Sequence, residues 1–109
     1  MMKVKSGYIT CLCAGWLMIA NAALAEVTAQ RRDSIAYTVQ QDCGSCHGLT
    51  FAGGLGPDLQ AERLQSIPDD YLIQVIKHGI PGTPMPPWQR FFNDEEIQWI
   101  VTQLKRGSL

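Results

Sequence analysis

Two cysteines and a histidine stand together in the segment Cys43-Gly44-Ser45-Cys46-His47 of this 109-residue chain. Thiols at this spacing can both reach one edge of a porphyrin and add to its two vinyl groups, and the adjacent imidazole can then bind the iron. The motif therefore predicts covalent attachment of one haem c through Cys43 and Cys46, with His47 as an iron ligand.

Cysteine pairs at this spacing also occur in thioredoxin-like redox sites, in zinc sites and in structural disulfides. A thioredoxin-like site accompanies a βαβ pattern, and a zinc site requires two further ligands at metal spacing; the sequence displays neither pattern. A disulfide closing so short a loop constrains the chain little and is redox-labile. The histidine directly after the second cysteine favours haem attachment over these alternatives.

The first 25 residues have the features of an export signal. Lys3 and Lys5 provide positive charge, residues 9–20 are mostly apolar, and Ala23-Leu24-Ala25 is typical of a cleavage site. We expect residues 1–25 to be cleaved and residues 26–109 to form one haem-binding domain in the periplasm. The alternative is an uncleaved membrane anchor, for which residues 9–25 are marginal in length.

Cleavage would leave Met85 as the one methionine of the chain, because the other three lie within residues 1–25. Met85 lies in the segment 79–88, whose four prolines cannot occupy a helix interior and stiffen the backbone. A stiff loop can hold a neutral thioether at haem iron, so we predict Met85 as the sixth iron ligand. His78 is the alternative ligand, but its place in the last turn of a predicted helix gives it a sufficient structural role.

The charge of residues 26–109 restricts the class of partner. Seven basic residues face ten acidic ones, and two haem propionates would add further negative charge. This balance argues against nucleic acid and against anionic lipid as partners. A domain of this size has a thin core, so we expect a covalently bound haem to serve as an apolar plate for its helices and the haem-free protein to fold poorly.

The apolar spacing predicts an all-α fold, because no segment alternates with period two for the length of a strand. The last helix has the clearest signals: Asn93 as N-cap, Glu96 as its capping-box partner, and a stop at Gly107. Its predicted buried stripe consists of Ile97, Ile100, Val101 and Leu104. Helices are also predicted over residues 32–42, 61–64 and 68–78, with a loop over residues 48–59.

The chain resembles the class I monohaem cytochromes c over nearly all of residues 35–104. The resemblance rests on the cysteine motif after a short helix, on Gly56-Pro57-Asp58-Leu59, on the methionine loop and on the capped last helix. It implies the class I cytochrome c fold, in which short helices wrap around a covalently attached haem. It also implies that the Pro57 carbonyl accepts a hydrogen bond from His47 Nδ1, which leaves Nε2 for iron.

Some expectations concern individual side chains around this fold. Many class I members pair an aromatic residue in the first helix with one in the last; Val39 and Gln103 occupy those positions here, so we expect a looser helix crossing. Trp88 is predicted either to contact the haem, with its indole donating to a propionate, or to pack as an ordinary core residue. Arg63 and Arg90 are either propionate partners or surface charges.

Three segments are similar to small periplasmic cytochromes encoded beside the haem-cd-type nitrite reductase of denitrifying bacteria. They are residues 41–48, 53–57 and 82–88. The resemblance implies a monomeric electron carrier, not an enzyme, that accepts electrons from a quinol-oxidising donor and passes them to nitrite reductase. Two alternatives are an accessory electron-transfer protein in maturation of the reductase's d-type haem, and a haem sensor or enzyme with Met85 off the iron.

Overall fold

The computed structural model describes residues 26–109, and the predicted export signal lies outside the described residues. Within this part of the chain, helices and loops form the whole fold and no strand is present, which confirms the all-α prediction. None of these helices is long and apolar enough to cross a bilayer. The helices are α1 (Ala29–Thr38), a π-helical segment (Val39–Cys43), α2 (Gly44–His47), α3 (Ala61–Leu64), α4 (Asp69–His78) and α5 (Asp94–Arg106).

The first helix begins earlier than predicted and changes its geometry before the cysteine motif. Thr28 is its N-cap, and the Thr28 hydroxyl accepts a hydrogen bond from the Arg31 amide at 3.3 Å. The prediction started at residue 32 because the first turn, residues 29–32, has no large apolar residue to reveal it. From Val39 to Cys43 the helix widens to π geometry, which hydrophobic spacing does not distinguish from α geometry.

Helix α5 confirms the predicted caps and the predicted stripe. The side chain of Asn93 accepts from the Glu96 amide, and the Glu96 carboxylate accepts from the Asn93 amide, both at 2.9 Å. Gly107 ends the helix with φ of +63°, a left-handed conformation that glycine adopts without strain. The four stripe residues Ile97, Ile100, Val101 and Leu104 are all buried.

The hydrophobic core is built around α5, which contacts α1, α3 and α4. Its apolar face shares one cluster with Ile35 and Val39, both of which have no exposed surface. Trp99 packs against this cluster from its edge, whereas Tyr37 is 68% exposed. Aliphatic side chains therefore fill the position where many class I members have an aromatic residue in the first helix.

Helix α4 begins at Asp69, one residue later than predicted, ends at His78 as predicted, and has no fully buried residue. Ion pairs attach both of its ends to α5: Lys105 pairs with Asp69, and Lys77 Nζ lies 2.6 Å from Asp94 Oδ1. Its apolar residues Leu72, Val75 and Ile76 are half-buried and face a cavity. The helix is therefore held by these ion pairs and by the packing of Leu72, Ile73 and Ile76 on the core, and its remaining apolar surface forms one wall of that cavity.

Candidate functional site

A cavity of about 480 Å³ lies between the cysteine motif, α4, α5 and the loop 79–88. Its lining is mostly apolar, and the charged side chains along it are those of Asp42 and Arg63. Cys43, Cys46, His47 and Met85 all line the cavity. The structure thus brings together the four residues for which the sequence predicts bonds to haem or iron.

The two cysteines reach the cavity from consecutive helical segments. Cys43 is the last residue of the π-helical segment and Cys46 lies in α2, so their spacing of three places both on one face. Before haem attachment, burial together with the charge of Asp42 raises the pKa of the Cys43 thiol to about 11. The Ser45 hydroxyl donates to the Asp42 carbonyl at 2.7 Å, which holds this turn in place.

His47 is oriented by a hydrogen bond to the loop that follows the motif. Its Nδ1 lies 2.7 Å from the carbonyl oxygen of Pro57. A carbonyl oxygen only accepts, so Nδ1 carries the proton and Nε2 keeps its lone pair. This is the contact that the family resemblance implies, and it leaves Nε2 suited to bind a metal ion.

The glycines of the loop 53–57 allow the chain to approach α2 this closely. The Gly53 amide donates to the His47 carbonyl and the Gly56 amide donates to the Cys46 carbonyl, each at 2.8 Å. A Cβ on Gly56 would lie 2.7 Å from Cε1 and Nδ1 of the His47 ring, closer than atoms can pack. The sequence shows Gly56 as part of a Gly-Pro motif but does not reveal this contact with the His47 ring, which depends on the path of the loop.

Met85 faces the same cavity from the loop 79–88. The Ile80 amide donates to the Met85 carbonyl at 3.1 Å, and the Trp88 amide donates to the Ile76 carbonyl at 2.9 Å, so the loop closes back onto the end of α4. His78, the alternative ligand, is exposed at the end of α4 and does not line the cavity. The structure therefore places Met85, and not His78, on the cavity wall that His47 shares.

Trp88 combines packing with an unused hydrogen-bond donor. Its ring stacks on Phe92 with centroids 6.2 Å apart, and its side chain lines the cavity. The indole Nε1 is buried and has no hydrogen-bond partner among residues 26–109. A buried donor without a partner costs about 1–3 kcal/mol, so this group calls for an acceptor that residues 26–109 do not supply.

The two arginines predicted as propionate partners or surface charges differ in placement. Arg63 lines the cavity, and its Nη1 donates to the Asp58 carbonyl at 2.5 Å. Arg90 is exposed and does not line the cavity. Of the two, Arg63 is the one positioned near a group bound there.

The residues present fit a haem. Apolar walls suit the macrocycle, the two thiols suit its vinyl groups, and the imidazole and the thioether suit iron. The unpartnered indole N–H of Trp88 suits a carboxylate of the same group. The two thiols, the imidazole and the thioether belong to residues that line a single cavity, which is what a covalently held prosthetic group requires.

Comparison with known proteins identifies relatives that match most of the chain. The family described as cytochrome c oxidase, cbb3-type, subunit III matches residues 30–102. Cytochrome c55X of Stutzerimonas stutzeri is 42% identical over 94 residues, which cover 86% of this chain and 83% of that protein. The solved structure of the c-type cytochrome NirC has a TM-score of 0.72 at 41% identity, and the match covers 73% of this chain and 94% of that one.

A further relative is an enzyme that contains a matching segment. Dihydro-heme d1 dehydrogenase of Pseudomonas aeruginosa is 34% identical over 65 residues. These residues make up 60% of this chain but 13% of the dehydrogenase. The likeness therefore concerns a small part of that enzyme.

Proposed function

The chain belongs to the cytochrome c family and carries one covalently attached haem c, and from this premise we propose that it is a periplasmic electron carrier that donates electrons to the haem-cd-type nitrite reductase of denitrification. The observation that carries the proposal is the shared cavity of His47 and Met85. With His47 and Met85 both bound to it, the iron would have no open position for nitrite, oxygen or peroxide. Electron transfer then remains as the chemistry of the site.

In this proposal each site residue has one task. Cys43 and Cys46 would form the thioether bonds, His47 and Met85 would bind the iron, and the Pro57 carbonyl holds the imidazole. When bound, the haem supplies a one-electron Fe(II)/Fe(III) couple. The neutral Met85 thioether would stabilise the ferric state less than a second imidazole, which would raise the reduction potential and suit a donor to a terminal reductase.

The partners of the protein are redox proteins, and the specific ones are part of the proposal. We assign an upstream quinol-oxidising complex as the donor and nitrite reductase as the acceptor. A carrier that serves two partners in turn needs small and short-lived contacts, so we expect a monomer that binds each one weakly. The export signal predicted in residues 1–25 supports a periplasmic location.

Electron transfer to the purified reductase tests this function directly. The mature protein is reduced, mixed with haem-cd-type nitrite reductase and nitrite, and followed at its haem absorption bands. Rapid, catalytic reoxidation that requires both enzyme and nitrite is the expected result. No reoxidation by a low-spin, redox-active protein would overturn the proposed acceptor.

The likeness to dihydro-heme d1 dehydrogenase favours one second candidate, electron transfer during maturation of the d-type haem. A dehydrogenase removes two electrons from its substrate, so two molecules of a one-electron carrier would be reduced per turnover. The test is to mix the oxidised protein with this dehydrogenase and dihydro-heme d1. Two molecules of this protein reduced per turnover of the dehydrogenase, together with no reoxidation of the reduced protein by nitrite reductase and nitrite, would favour the role in maturation over the role in respiration.

A further inference from the structure

We propose that Thr83 is a positioning residue for Met85, whose side-chain hydroxyl braces the methionine loop and keeps the sixth iron position closed. The inference rests on the proposed function, because it requires Met85 as the iron ligand. Thr83 lies two residues before Met85 and lines the same cavity.

The Thr83 hydroxyl joins two parts of the loop. It donates to the Ile80 carbonyl at 2.7 Å and accepts from the Met85 amide at 3.3 Å. The Thr83 amide donates to the same Ile80 carbonyl at 3.1 Å. A single side chain therefore connects the turn that begins at Ile80 to the backbone of the predicted ligand.

Both polar backbone groups of Met85 are bound inside this loop. Its carbonyl accepts from the Ile80 amide at 3.1 Å, and its amide donates to Thr83. The residues on either side, Pro84 and Pro86, have no amide hydrogen, so they contribute no donor to hold this stretch. Met85 therefore has the only backbone N–H among residues 84–86, and the Thr83 hydroxyl accepts its hydrogen bond.

The four prolines of the loop do not restrict the backbone at Gly82. They restrict φ at four positions, but Gly82 has φ of +76° and no heavy atom within 4 Å of where its Cβ would lie. Such a glycine is free to act as a hinge for the segment that carries Met85. The two hydrogen bonds of Thr83 span this hinge, because they connect residues 80 and 85 on its two sides.

Binding of imidazole to the ferric protein measures how firmly the sixth position is closed, since an external imidazole binds iron after Met85 leaves. We compare wild type with Thr83→Val, which keeps the shape of the side chain and removes the hydroxyl. The expected result is imidazole binding that is about 5- to 10-fold tighter, equivalent to about 1.0–1.4 kcal/mol. In Thr83→Val without imidazole, the absorption band of the thioether-to-iron bond should still be present. During the titration this band should weaken at a lower imidazole concentration than in wild type.

Two control variants separate bracing from a general loss of a hydroxyl. Thr102→Val removes a comparable bond, from the Thr102 hydroxyl to the Gln98 carbonyl at 2.9 Å in α5, and should leave imidazole binding within about twofold of wild type. Thr83→Ser retains the hydroxyl and should restore wild-type binding within about twofold. Thermal unfolding of each variant reports any change of overall stability.

The results distinguish this inference from the ligand assignment on which it rests. Met85→Ala should tighten imidazole binding more than any other variant; no change in Met85→Ala would contradict the assignment of Met85 itself. If Met85→Ala tightens binding while Thr83→Val behaves like Thr102→Val, the brace is wrong and the assignment stands. Equal effects of Thr83→Val and Thr83→Ser would also overturn the inference, because the hydroxyl would then be irrelevant.

Discussion

Arg31 of α1 holds the carboxylate of Glu96 at two points, with Nε 2.5 Å from one oxygen and Nη2 3.2 Å from the other. The same guanidinium donates to the Phe91 carbonyl at 3.1 Å. Glu96 is buried, and its carboxylate also caps α5 through the Asn93 amide. One side chain therefore joins the start of α1 to the start of α5, across 65 positions of sequence.

This contact predicts how stability depends on pH. Hydrogen bonding from Arg31 lowers the pKa of Glu96 below its ordinary value near 4.5. A carboxyl whose folded pKa is lowered contributes stability above its unfolded pKa, and that contribution is lost as the pH falls through the folded value. We expect Glu96→Gln to be less stable than wild type at pH 7 by about 1–2 kcal/mol and to lose less stability on acidification.

Denaturant unfolding at neutral pH and on both sides of pH 4.5 measures this difference. Glu95→Gln is the matched control, because Glu95 is an exposed neighbour in the same first turn of α5. It should follow the wild-type pH dependence closely. If Glu96→Gln and Glu95→Gln have the same pH profile, the Arg31 contact does not contribute the stability assigned to it.

Gly56→Ala tests the packing of the loop against the His47 ring. The added Cβ would lie 2.7 Å from two ring atoms, so the ring must move and its bond to the Pro57 carbonyl must lengthen. Loss of that bond makes the imidazole a weaker donor to iron, so the reduction potential should rise by about 30–60 mV, a three- to tenfold change at about 59 mV per decade. Potentiometric titration of the purified protein measures this shift.

Gly44→Ala is the control for this substitution. Its Cβ would meet only the end of the Leu49 side chain at 3.3 Å and the Leu49 backbone beyond, and Leu49 is 74% exposed and free to move. The potential of Gly44→Ala should stay near that of wild type. If the reduction potential of Gly56→Ala also stays near that of wild type, the loop moves to accept the added Cβ and the His47 ring keeps its position.

The sequence predicts features whose causes are local and misses those that depend on the path of the chain. The capping box of Asn93 and Glu96 was predictable because both partners lie within one turn. The π-helical segment was not, because its hydrophobic spacing also fits an α-helix. Contacts such as Arg31 with Glu96 and Gly56 with His47 arise only after loops bring distant residues together, and no spacing rule encodes those distances.

Met85→Ala tests the sixth ligand. Covalent attachment through the two cysteines should be unaffected, while the ferrous protein should bind carbon monoxide at neutral pH. The reduction potential should fall, on the order of 100 mV, because the thioether favours the ferrous state. His78→Ala is the control and should change neither property, since His78 is exposed and outside the cavity; the reverse pattern would assign His78 as the ligand.

Trp88→Phe tests the unpartnered indole donor. Phenylalanine retains stacking on Phe92 but cannot donate to a propionate, so negative charge near the iron is less compensated and favours the ferric state. We expect the reduction potential to fall by about 30 mV, a threefold change in the one-electron equilibrium. Trp99→Phe, in a half-buried residue that does not line the cavity, should leave the potential unchanged; equal shifts in both variants would remove the special role of Trp88.

Helix α4 depends on haem for the burial of its apolar face. None of its residues is fully buried, although Leu72, Ile73 and Ile76 pack against the core, and its two terminal ion pairs contribute at most about 1 kcal/mol each. We expect the variant Cys43→Ala/Cys46→Ala, which cannot attach haem, to lose about 3–6 kcal/mol of unfolding free energy, since Leu72, Val75 and Ile76 would lose their apolar contact. Differential scanning calorimetry compares the two proteins.

Amide hydrogen exchange locates that loss within the fold. In the variant that lacks haem, amides of α4 should exchange faster than those of α5, because the apolar stripe of α5 remains packed on Ile35 and Val39. In the haem-bound protein the two helices should be protected to a similar degree. If α4 stays as protected as α5 after loss of haem, its ion pairs and its packing on the core hold it, and haem has no part in its stability.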